Sequence, residues 1–241
     1  MTGAPARSST IRAVLLDLDG TLLDTAPDMA AALNRLRKER GLQPLPFVSI
    51  RPFVSHGAAT LVRIGFPKAS DEDLVELRAR FLEIYRQDVA VDTRLFPGFE
   101  DVLVALEARR VLWGVVTNKP AFLTDPLLAR LKLQDRPACV ISGDTVAKRK
   151  PDPAPLLHAA EVIEIEPAHC VYVGDAERDI QAGRAAGMLT LVATFGYIGE
   201  NDRPDTWQAD GFVDSPGALL EWLDGTDRTK AAAGKPSGSK T

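Results

Sequence analysis

The period of the hydrophobic positions changes twice along this chain. Ile11 to Leu16 is a short aliphatic run that gives way at Asp17 and stops at Gly20, so it predicts a buried strand. From about 24 to 91 the strand texture disappears, and apolar residues recur three and four apart. Met29, Leu33 and Leu36 predict a helix over 27–40, with Thr25 as N-cap, Pro27 and Asp28 in the first turn, and Gly41 as the stop. Residues 42–58 carry Pro44, Pro46, Pro52 and Gly57 and predict a loop with short elements. A short helix is predicted over 58–64. A longer one follows Ser70, with Asp71, Glu72 and Asp73 against its positive end and Leu74, Leu77, Phe81, Ile84 and Tyr85 as its apolar face.

Beyond Phe96-Pro97-Gly98, helical and strand textures alternate. Helices are predicted over 99–110, 120–131, 152–163, 176–186 and 216–223. Strands are predicted over 111–117, 138–141, 170–173 and 190–193, with an edge strand at 211–213. Alternation of this kind implies a parallel sheet covered on both faces. The expected fold class is therefore α/β: a Rossmann-like parallel core, 11–23 and 92–223, interrupted by an all-helical insert, 24–91. The ends, 1–10 and 224–241, are small, polar or lysine-rich and are expected to be flexible tails.

Composition narrows the function classes. The 241 residues are 45% hydrophobic and 26% charged, an ordinary globular balance. A net charge of −4 without a clustered basic face argues against nucleic acid as partner. No apolar run is long enough to span a bilayer, and the first ten residues lack the apolar stretch of a secretory signal. Cys139 and Cys170 both lie in apolar runs, which fits buried, reduced thiols better than a disulfide. A cytoplasmic monomer or homodimer acting on a small molecule is expected.

Ligands of parallel sheets collect beyond the carboxyl ends of the strands. The first strand ends in Asp17 and Asp19, and the 111–117 strand delivers Thr117, Asn118 and Lys119. The loop after Ile141 leads to Lys150-Pro151. The 170–173 strand delivers Gly174-Asp175, with Asp179 one helical turn on. Two carboxylates at a buried strand end need compensation, and a hard divalent cation such as Mg²⁺ suits their oxygens. Paired acids, a hydroxyl and a lysine on one rim suit phosphoryl transfer, in which a carboxylate can be nucleophile and cations stabilise the charged transition state.

These four stretches resemble the motifs of the haloacid dehalogenase-like hydrolase superfamily. Asp17-Leu18-Asp19-Gly20-Thr21 is similar to the first, Thr117-Asn118 to the second, Lys150-Pro151 to the third, and Gly174-Asp175 through Asp179 to the fourth. The resemblance implies that Asp17 attacks phosphorus and that Asp19 protonates the leaving oxygen and then activates water. It implies Mg²⁺ between Asp17, the backbone carbonyl of Asp19 and Asp175. It implies Thr117, Asn118 and Lys150 around the phosphoryl group, with Asp179 orienting Lys150 or a metal-bound water. An aspartate at position 19 favours a phosphorylated substrate over a haloacid, and the helical insert resembles the family's cap domain.

Narrower likenesses follow. Leu23-Asp24-Thr25-Ala26-Pro27, Val115 to Pro120, Lys150 to Pro153 and Phe195-Gly196-Tyr197-Ile198 resemble the phosphoglycolate phosphatase group. Leu112 to Pro120 and the late Trp207 with Ala209-Asp210 look most like its N-acetylmuramic acid 6-phosphate phosphatases. The expected reaction is hydrolysis of a small phosphomonoester, N-acetylmuramic acid 6-phosphate first and 2-phosphoglycolate as the alternative. A sugar phosphomutase is a further alternative. In the insert, Ser55, His56 and Gly57 fall where the group places a specificity loop, while Arg63 reads first as a solvated arginine and second as a partner for a substrate carboxylate. His158, His169 and Trp113 are expected to be structural.

Overall fold

The structure of the protein, a computed structural model, describes residues 10–233. The tails expected at 1–9 and 234–241 lie outside the described residues. The chain opens with β1 (Ala13–Leu16), β2 (Leu23–Asp24) and α1 (Ala26–Glu39). Then come α2 (Phe47–Ile50), a 3₁₀ turn (Arg51–His56), α3 (Gly57–Gly65), α4 (Asp71–Gln87) and β3 (Arg94–Leu95). The remainder alternates: α5 (Phe99–Ala108), β4 (Leu112–Val116), α6 (Ala121–Arg130), β5 (Val140–Ile141), α7 (Ala154–Val162), β6 (Cys170–Gly174), α8 (Glu177–Ala185), β7 (Leu189–Ala193), β8 (Gly211–Val213) and α9 (Pro216–Ala233).

Six strands form a parallel sheet in the order β5-β4-β1-β6-β7-β8. β1 is central and wholly buried, which is why it reads as an unbroken aliphatic run rather than an alternating one. Its side chains nevertheless divide between the two faces. Val14 and Leu16 join a core with Phe99, Leu103, Leu127 and Leu219, whereas Ala13 and Leu15 join one with Leu156, Ala159, Tyr172 and Met188. Helices α5, α6 and α9 thus cover one face, and α7 and α8 the other. From β1 the chain builds outward through β4 and β5, then returns to build the other way from β6. The strand order therefore reverses beside β1, where a crevice opens at the carboxyl ends.

Every element between β2 and β3 is helical. Leu33, Leu61, Leu77, Phe81, Ile84 and Tyr85 form its interior and are continuous with the first core. The capping box at Ser70 is present: its hydroxyl accepts from Asp73 N–H at 3.1 Å, and Asp73 accepts from Ser70 N–H at 3.2 Å.

Three expectations change. The entry to and exit from the helical block pair as a two-residue antiparallel ribbon, Leu23 with Leu95 and Asp24 with Arg94, too short to have a sequence signal. Thr25 precedes α1 but makes no side-chain cap; its hydroxyl donates instead to Asp19 at 2.7 Å. The tail expected from 224 begins as a continuation of α9, which runs to Ala233; the alanines at 231–233 are strong helix formers.

Candidate active site

Register brings the predicted strand-end residues together. Leu16 lies opposite Val115 on β4 and Val173 on β6, so Asp17 leaves the middle of three adjacent strands, with Thr117 and Asp175 one residue beyond its level on either side. Lys150 arrives from the loop between β5 and α7. That loop is tied to the end of β4 by two hydrogen bonds of 3.0 Å, Asn118 Nδ2 to Lys150 O and Lys150 N to Asn118 Oδ1. Asn118 thereby fixes the loop that carries the lysine.

The Lys150 ammonium is buried among Asp17 Oδ1 at 2.9 Å, Asp179 Oδ1 at 2.8 Å, Tyr172 Oη at 2.6 Å and the Val116 carbonyl at 3.0 Å. Burial alone would pull its pKa down, but Asp17 and Asp179 outweigh that and hold it above the usual lysine range. Asp179 is fully buried rather than a surface acid, and its other oxygen accepts from Ala176 N at 3.0 Å. Tyr172 reaches this cluster from the middle of β6 and Asp179 from the first turn of α8.

Asp17, Asp175 and Asp179 are all buried, and each offers an oxygen within 4.8 Å of the others. Burial pushes the Asp17 carboxyl above its usual range, with Lys150 opposing. Burial, then Asp17 and Asp179, push Asp175 up to about 7. Asp175 Oδ2 accepts from Ser55 Oγ at 2.7 Å and Tyr197 N at 2.9 Å, while Oδ1 is buried with no hydrogen-bond partner among the described residues. A buried, unpartnered carboxylate oxygen beside a second carboxylate fits a hard divalent cation, which would relieve both the repulsion and the missing bond. Gly20 closes the same spot. It has φ +86°, and a Cβ there would lie 2.1 Å from Asp175 Oδ2.

Asp19 stands apart from this trio. Its side chain accepts from Lys119 Nζ at 2.8 Å and Thr25 Oγ1 at 2.7 Å, and its backbone carbonyl accepts from Ser55 Oγ at 3.3 Å. Lys119 is buried and sits 4.7 Å from the centre of the Tyr85 ring, a residue of α4. Burial lowers its pKa, but Asp19 more than compensates and keeps the ammonium charged.

Of the three specificity-loop residues, Ser55 lines the cavity with its hydroxyl turned onto Asp175, and Arg178 donates to its carbonyl. His56 is exposed, at 6.2 Å from the Phe53 ring. Gly57 takes φ +83° to start α3, whose first residues Gly57, Ala58 and Ala59 line the cavity. Arg63 does not line this cavity; it pairs with Asp71 at 3.1 Å on an adjoining groove that shares Ala59, Arg78 and Leu82 with it. The predicted structural residues behave as such: Trp113 is buried with its Nε1 on Glu107 at 3.1 Å, and His158 and His169 bond Glu161 and the Thr10 carbonyl. Both cysteines are buried free thiols, with pKa values pushed by burial to about 12 for Cys139 and about 11 for Cys170.

Asp17 and Asp19 open onto a cavity of about 500 Å³ between sheet and helical block. Asp17, Asp19, Thr117, Asn118 and Lys119 form its core side. Met29, Val54, His56, Arg78, Leu82 and Tyr85 form the side of the insert, and Arg149 and Arg178 complete it. Sequence reasoning passed over Tyr172, Arg178 and Arg78. Arg178 had a signal, because it lies inside the fourth motif. Arg78 had none, since an arginine on an amphipathic helix reads as a solvated face.

Comparison with known proteins identifies the family and the fold. A family model described as haloacid dehalogenase-like hydrolase matches residues 14–193. A phosphoglycolate phosphatase of Xylella fastidiosa (strain Temecula1) is 47% identical over 208 residues, covering 86% of this chain and 91% of that protein. An N-acetylmuramic acid 6-phosphate phosphatase of Pseudomonas putida is 43% identical over 215 residues, covering 89% and 96%. Among solved structures, a predicted phosphoglycolate phosphatase from Haemophilus somnus superposes with a TM-score of 0.79 at 24% identity, over 89% of this chain and 98% of that one, a likeness of fold. With the matched span covering both the sheet and the insert, this chain belongs to the haloacid dehalogenase-like hydrolase family.

Proposed function

We propose that this protein is a Mg²⁺-dependent phosphomonoester hydrolase of the cytoplasm that forms an acyl phosphate on Asp17. The observation that carries the reading is the floor of the cavity, where the Asp17 carboxylate meets a charged, fully buried Lys150 beside two further acids. The family and the phosphatase names of the relatives support it. Asp17, Asp175 and the Asp19 carbonyl are the groups that would hold the metal, which would shield phosphoryl charge from the carboxylates. Lys150 and Thr117 would take the non-reacting phosphoryl oxygens.

A carboxylate oxygen of Asp17 attacks phosphorus as the bond to the alcohol oxygen breaks, and Asp19 gives its proton to that oxygen. Asp19 then takes a proton from water, whose oxygen attacks phosphorus, and the bond to Asp17 breaks to release inorganic phosphate. Thr25 and Lys119 hold Asp19 at the cavity side of the nucleophile throughout. The helical insert, 24–91, acts as a cap domain that excludes water and contacts the alcohol.

The substrate we favour is N-acetylmuramic acid 6-phosphate, because a cavity of about 500 Å³ is roomy for a two-carbon acid and suits a sugar. 2-Phosphoglycolate is the second reading, favoured by the name of the 47% identical relative. A phosphate-release assay with MgCl₂ over both compounds and plain hexose phosphates separates them. Asp17→Asn is expected to lower turnover at least ~10³-fold on every substrate. Near wild-type release by that variant would remove Asp17 as nucleophile.

A further inference from the structure

The basic residues around the cavity are unequally committed. Lys119 is paired with Asp19, Arg178 donates to the Ser55 carbonyl, and Arg149 Nε donates to the Gly143 carbonyl. Arg78, in the middle of α4, lines the cavity yet makes no ion pair or side-chain hydrogen bond with any described residue. Its neighbours in the helical block differ. Arg35, Arg40, Arg63 and Arg80 each have a carboxylate partner, at 3.3, 2.6, 3.1 and 2.9 Å.

No cavity acid is free to serve Arg78. Asp17 and Asp19 belong to the reacting end, and Asp144 accepts from Ala121 N at 2.8 Å to hold the start of α6. Asp17 lines the floor with Lys150 buried behind it, so a phosphoryl group placed there directs its alcohol toward the insert, whose side of the cavity is lined by the solvent-exposed Arg78 together with Leu82, Val54 and Ala58. An unpaired planar guanidinium at the rim of the cavity is a matched receptor for a carboxylate, which it can bind through two parallel hydrogen bonds.

We propose that Arg78 is the specificity-determining residue of this site and selects phosphomonoesters whose alcohol carries a carboxylate. The inference rests on the phosphatase reading above and deepens it. 2-Phosphoglycolate and N-acetylmuramic acid 6-phosphate share this feature: one carboxylate beyond the phosphate. The rest of the alcohol decides between them.

The test compares kcat/KM within two pairs that differ chiefly in that carboxylate. One pair is N-acetylmuramic acid 6-phosphate and N-acetylglucosamine 6-phosphate; the other is 2-phosphoglycolate and 2-hydroxyethyl phosphate. The wild-type protein is expected to prefer the acidic member of at least one pair by tenfold or more, and that pair identifies the alcohol. Arg78→Ala should reduce this preference at least tenfold, mostly through KM. Arg78→Lys should retain part of it, since charge remains but the fork is lost. Arg63→Ala, on the adjoining groove and outside the cavity lining, should leave the ratio unchanged. Because each variant is judged by its own ratio, partial loss of folded protein does not imitate the result. A wild-type enzyme indifferent to the carboxylate, or an Arg78→Ala variant that keeps the preference, overturns the inference and leaves the phosphatase reading standing. Release of no phosphate from any of the four, nor from an aryl phosphate, defeats that reading itself.

Discussion

Lys119 shows how much one side chain can carry. Its Nζ is 2.8 Å from Asp19 and 4.7 Å from the Tyr85 ring centre, so one buried ammonium touches the proposed acid–base residue on the core and an aromatic of the insert. Breaking a buried pair by removing one partner leaves a charge unsatisfied and costs about 3 kcal/mol or more. Lys119→Met is therefore expected to lower kcat about 10- to 100-fold, through a misplaced Asp19, and to destabilise the protein measurably in urea; Lys119→Arg should recover part of both. An unchanged kcat in Lys119→Met would mean that Asp19 needs no such anchor. Asp17, Asp19, Thr117, Lys150 and Asp175 were legible in the sequence because each ends or follows a strand whose aliphatic run is plain. The partners Lys119–Asp19 and Tyr172–Lys150 were not, because a hundred residues separate the first and a sheet register decides the second.

Among the elements, one carboxylate gathers the segment that returns from insert to core. Asp28, in the first turn of α1, accepts from Val91 N at 3.0 Å, Asp92 N at 3.0 Å, Thr93 N at 2.8 Å and Thr93 Oγ1 at 2.6 Å. It thereby fastens the returning segment, just before β3, to the helix that left just after β2. Hydrogen bonds to a charged acceptor are among the stronger ones, and loss of the acceptor strands buried donors. Asp28→Ala should cost about 2–4 kcal/mol in a denaturant titration. A cost below about 0.5 kcal/mol would show that water satisfies those amides equally well. The sequence offered Asp28 only as a helix-favouring acid in a first turn. The ribbon of β2 and β3 that it braces is two residues long on each side, too short for periodicity to register.

For the whole molecule, the relevant balance is charge. Asp17, Asp175 and Asp179 meet within 4.8 Å with Lys150 as their nearest buried cation, and Asp175 keeps one buried oxygen unpartnered. A divalent ion at that point would stabilise the folded chain by mass action, about 2.7 kcal/mol when present at a hundredfold its dissociation constant. For a chain of this size that corresponds to a rise in Tm of roughly 5–10 °C. MgCl₂ added to metal-stripped protein should produce that rise and EDTA should reverse it. Asp175→Asn should abolish the response. An Mg²⁺-independent Tm in the wild-type protein would argue against a resident metal. No helix among the described residues is long and apolar enough to cross a membrane.

The sequence by itself determined the alternation of strand and helix, the helical interruption and the chemical types at the strand ends. Those depend on local periodicity and on which residues can occupy a buried parallel strand. Only the tertiary structure decided which of those groups face one another. Strand register set Asp17 beside Thr117 and Asp175, and the fold of the insert turned Ser55 onto Asp175 and left Arg78 unpaired over the cavity. The opening pair of carboxylates, one residue apart in the chain, is separated by that geometry into different surroundings: Asp17 among acids and Lys150, Asp19 between Thr25 and Lys119. Spacing along a strand end fixes how near two carboxylates start, but the charges that fix their roles come from distant segments, which only packing brings into range.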